Sequence, residues 1–373
     1  MSLRIFHTAD VHLGMKFTRG YPASVQEALQ DARFRTLERM VEMANEHRCQ
    51  LFVVAGDLFH RQGIPRKDVI RTAAILRKFQ GAALLLLPGN HDFYSGSNSL
   101  LWKTMEEHLP ETALVLSEPR VYPLQEFDLD VHVYPAPCTA KHSPQNQLGW
   151  MKNIQPDDGV PFHIGIAHGS LQGFSPDFDE RYYPMTPAEL EEIPVQVWLL
   201  GHTHQRFPAE EEGRGQRIFF PATPEPDGFD CTHSGSAWLL ELEDDGTVHY
   251  RALTTGQYRF QQISIDLSQF PDMRTVRERL RSVDSTNTLL QLRFIGRIPD
   301  EQFQELHELI GELEKEFFYL QVDTAGLLRK ITREDIDREF VEGSFPHRLL
   351  TALSEEDELA LQLAYEMIQE VRK

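Results

Sequence analysis

Leu51-Phe52-Val53-Val54-Ala55-Gly56-Asp57-Leu58-Phe59-His60 is a run of five apolar residues that stops at a glycine and then delivers an aspartate and a histidine. A short apolar run ended this way reads as a buried strand, and glycine suits a tight turn that aims the next side chain outward. The same grammar recurs along the chain. Asp10-Val11-His12 follows Ile5–Ala9, and Gly89-Asn90-His91-Asp92 follows Leu84–Leu87. His168-Gly169 follows Ile164–Ala167, and Gly201-His202-Thr203-His204 follows Val197–Leu200. The carboxyl ends of strands gather at one edge of an α/β sheet, so five such motifs predict one shared cleft.

Working outward, strands are expected at Leu3–Thr8, Leu51–Ala55, Ala83–Leu87, Val131–Tyr134, Phe162–Ala167, Val195–Leu200, Ile218–Phe220, Ala237–Leu242 and Val248–Ala252. Apolar stripes at helical spacing, Phe34/Leu37/Val41/Ala44 and Val69/Ala73/Leu76/Phe79, mark helices between the early strands. The short turn Asp244-Asp245-Gly246 makes the late strands antiparallel. The expected fold class is α/β: a mixed β-sandwich flanked by helices over residues 1–255. From 256 to 330 the pattern restarts as a small α+β module of β-α-β-α-β order, with Met273, Val276, Leu280 and Val283 on its first helix. Residues 331–373 read as a helical segment, in which Ser354-Glu355-Glu356-Asp357 looks like a capping box opening the last helix.

A chain of 373 residues suits two domains better than one. No apolar run of about 18 residues exists to span a bilayer, and Met1–Phe6 lacks the basic-then-apolar form of a secretory leader. Cys49, Cys138 and Cys231 are odd in number and widely spaced, which disfavours a disulfide framework and fits a reducing cytoplasm. The net charge of −20 argues against a polyanionic substrate, but it is uneven. Lys and Arg number 13 against 8 Asp and Glu in residues 1–80, 9 against 26 in 81–255, and 15 against 23 in 256–373. Bound cations would offset part of the central excess.

Asp10, His12, Asp57, Asn90, His168, His202 and His204 offer oxygen and nitrogen and no thiolate, a set suited to Mn²⁺, Fe²⁺ or Zn²⁺. These are too many for one ion. Two are implied, about 3.5–4 Å apart, with Asp57 the candidate to bridge them. A water activated between two such ions would attack phosphorus in line, and His91 is placed to protonate the leaving oxygen. One histidine after a strand is ordinarily a packing residue; the ordered series sets these apart. His47, His108, His132, His142, His163, His233, His249, His307 and His347 read as surface or packing residues, and His7 as a core residue beside the site.

This pattern resembles the calcineurin-like metallophosphoesterase superfamily over about residues 1–255. Within it, His12-Leu13-Gly14, Gly56–His60 and the later β-α-β module resemble the SbcD-type DNA repair exonucleases, nuclease partners of long coiled-coil ATPases. The resemblance implies that Asp10, His12, Asp57 and His204 hold one metal, and that Asp57, Asn90, His168 and His202 hold the other, with Mn²⁺ foremost. It implies His91 as general acid, Asp92 as its support and His60 as a contact to the scissile phosphate. The implied partners are DNA and a coiled-coil ATPase docked on residues 331–373, with homodimerisation left open and no membrane; residues 256–330 would cap the site and bind DNA. Two departures touch the substrate rim. Phe220-Pro221-Ala222-Thr223-Pro224-Glu225 lacks the glycine of a Tyr-Pro-Gly-Ser-like strand end, and Asp177-Phe178-Asp179-Glu180 adds acid.

For DNA, Arg61, Arg66, Lys67 and Arg71 follow His60, and Arg274, Arg277 and Arg281 share a helix face that can track phosphates. Either cluster is equally readable as a solvated helix face. A small-molecule phosphodiesterase or phosphatase, for instance one for cyclic nucleotides, suits the acidity better but leaves the second domain idle. A protein phosphatase is disfavoured by His60, where those enzymes favour Asp, and a non-catalytic scaffold by the complete ligand set. Leu359, Ala360, Leu363, Ala364, Met367, Ile368 and Val371 form a final apolar stripe that must rest on its own domain or on a partner.

Overall fold

The computed structural model describes residues 2–18, 20–96, 99–178 and 181–372. They form two compact units, Met1–Arg259 and Phe260–Lys373. In the first unit, parallel strands Ser2–Thr8, Leu51–Ala55, Ala83–Leu87 and Ala113–Val115 run side by side. Ser236–Glu243, Val248–Thr254 and Glu212–Arg214 add antiparallel strands at the Ser2–Thr8 side, making a seven-stranded sheet. A six-stranded sheet is built around parallel Val131–Ala136, Phe162–His168, Val197–Gly201 and Ile218–Pro221. The architecture is the mixed α/β sandwich that the sequence predicts, and the nine expected strands start and end within two residues of the observed ones.

Covered faces explain why the central strands are apolar throughout. Ile5, Val53, Leu85, Ile164, Val197 and Phe219 fill the space between the sheets. Phe6, Phe52, Val54 and Leu84 point the other way, against Leu37, Val41, Ala73 and Trp102 on the helices Ala23–Glu46, Arg66–Leu76 and Leu100–Glu106. Four strands escaped the sequence reading: Ala113–Val115, Tyr122–Pro123, Arg206–Phe207 and Glu212–Arg214. At two or three residues they are too short to show a period, and their neighbours define them.

The second unit pairs a three-stranded sheet (Arg259–Asp266, Thr288–Ile298, Tyr319–Arg329) with helices Met273–Leu280 and Asp300–Glu316 around Val276, Leu292, Phe294, Leu306 and Leu313. Helices Arg333–Glu339, Phe345–Glu356 and Glu358–Arg372 enclose a smaller core of Ile331, Ile336, Phe340, Leu350 and Leu361. Buried Gln362 binds Ile331 both ways, its amide donating to the carbonyl at 3.0 Å and its oxygen accepting from the N–H at 2.8 Å. The capping box expected at Ser354–Asp357 does not form. Ser354 lies inside the helix Phe345–Glu356, which Ser344 and Pro346 start earlier, and its hydroxyl donates to Thr351. Asp357 instead opens the last helix, accepting from the Ala360 N–H at 3.0 Å. Among the described residues no helix is long and apolar enough to cross a membrane.

Candidate metal centre

Each motif leaves the carboxyl end of a parallel strand, and backbone hydrogen bonds tie the loops together. The Asp10 N–H donates to Gly56 O at 3.1 Å, and the His12 N–H to Asp57 O at 3.0 Å. The His202 N–H donates to the Asp10 carboxylate at 3.0 Å, and the His91 N–H to Asp57 Oδ1 at 2.8 Å. Asp10, His12, Asp57 and His202 all take positive φ, at 54°, 51°, 54° and 103°. Each such non-glycine residue costs about 1–3 kcal/mol, which the surrounding packing must offset. Gly56 stands where a Cβ would overlap the His168 ring, and Gly89 where one would overlap the Asp57 carboxylate. These glycines serve close approach.

The side chains converge. Asp10, His12 and His204 place ligand atoms within 4.8 Å of one another, as do Asp10, Asp57 and His168, and as do His12, His60 and His91. Asp57 Oδ2 is 3.5 Å from His168 Nε2 and 3.9 Å from His12 Nε2. Asn90 Oδ1 lies 2.9 Å from His168 Nε2 and 3.2 Å from His202 Nδ1. Asp10 therefore borders two of the groups, while Asp57 reaches the imidazoles of both.

Two contacts test the fit of cations. His168 Nδ1 donates to Ala55 O at 2.9 Å, which leaves Nε2 to face Asn90 Oδ1 and Asp57 Oδ2; in the metal-free protein it holds a proton there, in the place a cation would take. His12 Nε2 and His204 Nε2 face each other at 3.1 Å. Facing acceptors need a shared proton or cation, and oxygen and imidazole donors are what divalent ions of this class take. The residues fit.

The electrostatics carry the same strain. Burial raises the Asp10 carboxyl to about 8, against the pull of His168. Burial would also raise Asp57, but His168 and His12 hold it below the usual carboxylate range. His168 is lowered by burial and raised further by Asp57, ending at about 9. Burial, then His91, lowers His60 to about 4. Burial and Asp57 lift Asp92 to about 7; its carboxylate accepts from the N–H groups of Gly89 at 2.7 Å and Phe59 at 2.9 Å, so it braces two site loops.

A cleft of about 440 Å³ opens on Asp57, Asn90, His91, His202 and His204. Its walls include Asp227, which the sequence does not single out, His233, which reads there as a surface or packing residue, and Asp177 of the expected acidic stretch. Asp177 Oδ2 is 2.8 Å from His202 Nε2, Asp227 Oδ2 is 3.7 Å from His204 Nδ1, and His233 Nε2 is 3.1 Å from His204 O. The expected acidic stretch 177–180 contributes Asp177; Asp179 and Glu180 lie outside the described residues. Asp227 stands several residues beyond the strand Ile218–Pro221, past Pro224 and Pro226, so it does not share the direct strand-end position of the other motifs. The basic residues are more occupied than expected. Arg66 pairs with Glu107, Arg274 with Asp272, and Arg277 with Glu312 and Glu316; Arg66 and Arg274 stay exposed despite their partners, as do Arg61, Lys67 and Arg281.

Fold and donor set together define a phosphoesterase with places for divalent ions. The chain belongs to the calcineurin-like phosphoesterase family, whose profile matches residues 3–206. Its members are hydrolases that use divalent metals. The chain is 22% identical over 279 residues to an uncharacterized metallophosphoesterase, YhaO, of Bacillus subtilis, covering 73% of this chain and 65% of that one. It is 25% identical over 310 residues to the DNA double-strand break repair protein Mre11 of Haloferax volcanii, covering 79% and 61%. Against the Mre11 of Aeropyrum pernix it is 33% identical over 108 residues, covering 28% and 25%. The chain thus spans less than two thirds of the length of each of these curated relatives.

Proposed function

We propose that this chain is a metal-dependent phosphodiesterase that cleaves DNA, the nuclease subunit of a repair complex with a coiled-coil ATPase, as in the SbcD-type exonucleases it resembles. The observation that carries this is the convergence of the Asp10/His12/His204 and Asp10/Asp57/His168 groups on one cleft. Similarity to Mre11 proteins over most of the chain directs the substrate towards DNA. Free cysteines at 49, 138 and 231 support a reducing cytoplasm.

Asp10, His12, Asp57 and His204 would hold one divalent ion and Asp57, Asn90, His168 and His202 a second, Mn²⁺ foremost and Fe²⁺ or Zn²⁺ as alternatives. Bound there, such ions supply Lewis acidity and a more acidic water at neutral pH. The protein groups do the rest. His91 Nδ1 donates to the His60 carbonyl at 2.9 Å, which leaves Nε2 to protonate the leaving oxygen. The His60 ring lies 5.1 Å from the His91 ring and is the contact proposed for the scissile phosphate. Asp92 fixes the loops that carry both. Residues 256–330 contribute DNA binding, and residues 331–373 bind the ATPase. Support for the latter is an apolar groove of about 650 Å³ lined by Phe340, Val341, Phe345, Met367 and Val371.

One observation favours a second reading. The cleft is small and its rim carries Asp177, Asp227 and Asp230, which suits a compact phosphodiester such as a cyclic nucleotide better than a duplex. A Mn²⁺-dependent assay on single- and double-stranded DNA, beside a cyclic nucleotide and a generic phosphodiester, separates the two. DNA cleavage supports the nuclease; hydrolysis of the small esters alone supports the alternative.

A further inference from the structure

His202 and His204 stand two residues apart on one loop, yet they meet the cleft through opposite ring nitrogens. His202 Nδ1 faces Asn90 Oδ1 at 3.2 Å, whereas His204 Nε2 faces His12 Nε2 at 3.1 Å and Asp10 Oδ1 at 3.9 Å. In each ring the remaining nitrogen meets a carboxylate: Asp177 Oδ2 at 2.8 Å from His202 Nε2, and Asp227 Oδ2 at 3.7 Å from His204 Nδ1. We propose that Asp177 and Asp227 are positioning residues that fix opposite tautomers in these two histidines, so that each ring turns its free lone pair into the cation site. The inference rests on the proposed metal-holding role of the cleft.

An ionised carboxylate only accepts hydrogen bonds, so it draws the ring proton to the nitrogen beside it. Asp177 thereby assigns the proton of His202 to Nε2 and leaves Nδ1 as the donor atom. Asp227, at ion-pair rather than hydrogen-bond distance, favours the proton of His204 on Nδ1 through its charge and leaves Nε2. Partners of this kind set ring orientation and donor strength, and their loss lowers metal affinity about 10–100-fold.

Asp227 is itself held. Arg33, fully buried on the helix Ala23–Glu46, lies 3.6 Å from Asp227 Oδ2 and donates at 2.8 Å to Val11 O, between Asp10 and His12. One guanidinium thus joins the Asp10–His12 loop to the carboxylate behind His204. Its charge does not titrate away, so Asp227 is also its counter-charge. Asp177 has no such burden: its side chain is 30% exposed, and it can be removed without emptying the core.

The test has two readouts. Long-range ¹⁵N–¹H correlation on the metal-free protein at pH 8, with ring signals assigned through H202Q and H204Q, should find Nε2–H on His202 and Nδ1–H on His204. Mn²⁺ titration by calorimetry should show Asp177→Ala binding about 10–100-fold more weakly at unchanged thermal stability. Asp177→Asn, which keeps an accepting oxygen, should recover the tautomer and part of the affinity. The reverse tautomer on either ring, or Asp177→Ala within twofold of wild type, overturns the proposal. If Asp227→Ala does not fold, the wild-type tautomer of His204 still decides its half. Wild-type protein that takes up no Mn²⁺ would refute the proposed function instead, and the tautomers would still judge the positioning.

Discussion

His168 Nε2 lies 3.5 Å from Asp57 Oδ2, with both side chains almost wholly out of solvent. Burying such a pair is expensive in desolvation, and well-packed apolar residues would serve stability as well. Its placement is deliberate in the backbone too, since Gly56 takes φ +93° and has no Cβ to push the ring away. Without a cation the ring nitrogen keeps its proton beside the carboxylate, since Asp57 raises His168 to about 9; a divalent ion would take that proton's place between them.

His91 separates chemistry from metal binding. It lies in the cleft with its backbone N–H on Asp57 and its Nδ1 on the His60 carbonyl. His91→Ala should keep its metals and its substrate affinity while turnover falls roughly 10²–10⁴-fold. A nitrophenyl ester, whose leaving group needs no proton, should lose much less. Equal losses on both substrates would remove His91 from the role of general acid.

His7 governs acid sensitivity. Burial pushes its imidazole down to about 3, against the Leu200 carbonyl, which raises it. In the unfolded chain it titrates near 6.5, so its contribution to stability is full above that value and is lost as pH falls towards 3. Between pH 7 and 4.5 this amounts to roughly 2–3 kcal/mol. Denaturant unfolding of His7→Asn at both pH values should show a drop smaller by that amount than wild type. An identical drop would assign the acid lability elsewhere.

DNA binding is best probed at cations exposed enough to meet phosphates. Arg277 pairs with Glu312 and Glu316, and reversing it would set three carboxylates together. Arg61→Glu with Lys67→Glu in the first unit, and Arg274→Gln with Arg281→Gln in the second, where Arg274 already sits beside Asp272, avoid this. Each pair should weaken DNA binding and flatten its log–log salt slope by about 1.8, from roughly 0.9 per phosphate contact. Cleavage of a small ester should be untouched. Unchanged DNA affinity in both double variants would favour the small-molecule reading.

Why the sequence disclosed some of this and not the rest is physical. The strands at 51–55 and 83–87 are buried on both faces, so they are unbroken apolar runs, and the polar residues that end them are conspicuous. Arg33 was invisible because a charge on a helix reads as solvated; here the helix buries it behind the Asp10–His12 loop. Asp177 and Asp227 act through contacts made only when distant loops meet. His233 reads as a packing residue, yet it lines the cleft and holds the His204 backbone.

The C-terminal helices need a finer probe than deletion. Leu350, Leu361 and Gln362 pack on Ile331 and Ile336, so removing residues 340–373 would open a core of the second unit. Val341, Phe345, Met367 and Val371 are instead exposed on the groove. Phe345→Ser with Met367→Glu should leave thermal stability and ester hydrolysis unchanged and abolish co-purification with the proposed coiled-coil ATPase partner. Retained co-purification would place the partner elsewhere.

Anomalous diffraction from crystals grown with Mn²⁺ decides whether the cleft holds two ions. Two peaks per chain are expected, one among Asp10, His12 and His204 and one among Asn90, His168 and His202, with Asp57 in contact with both. A single peak in metal-replete protein, remote from Asn90 and His202, would contradict a two-ion cleft.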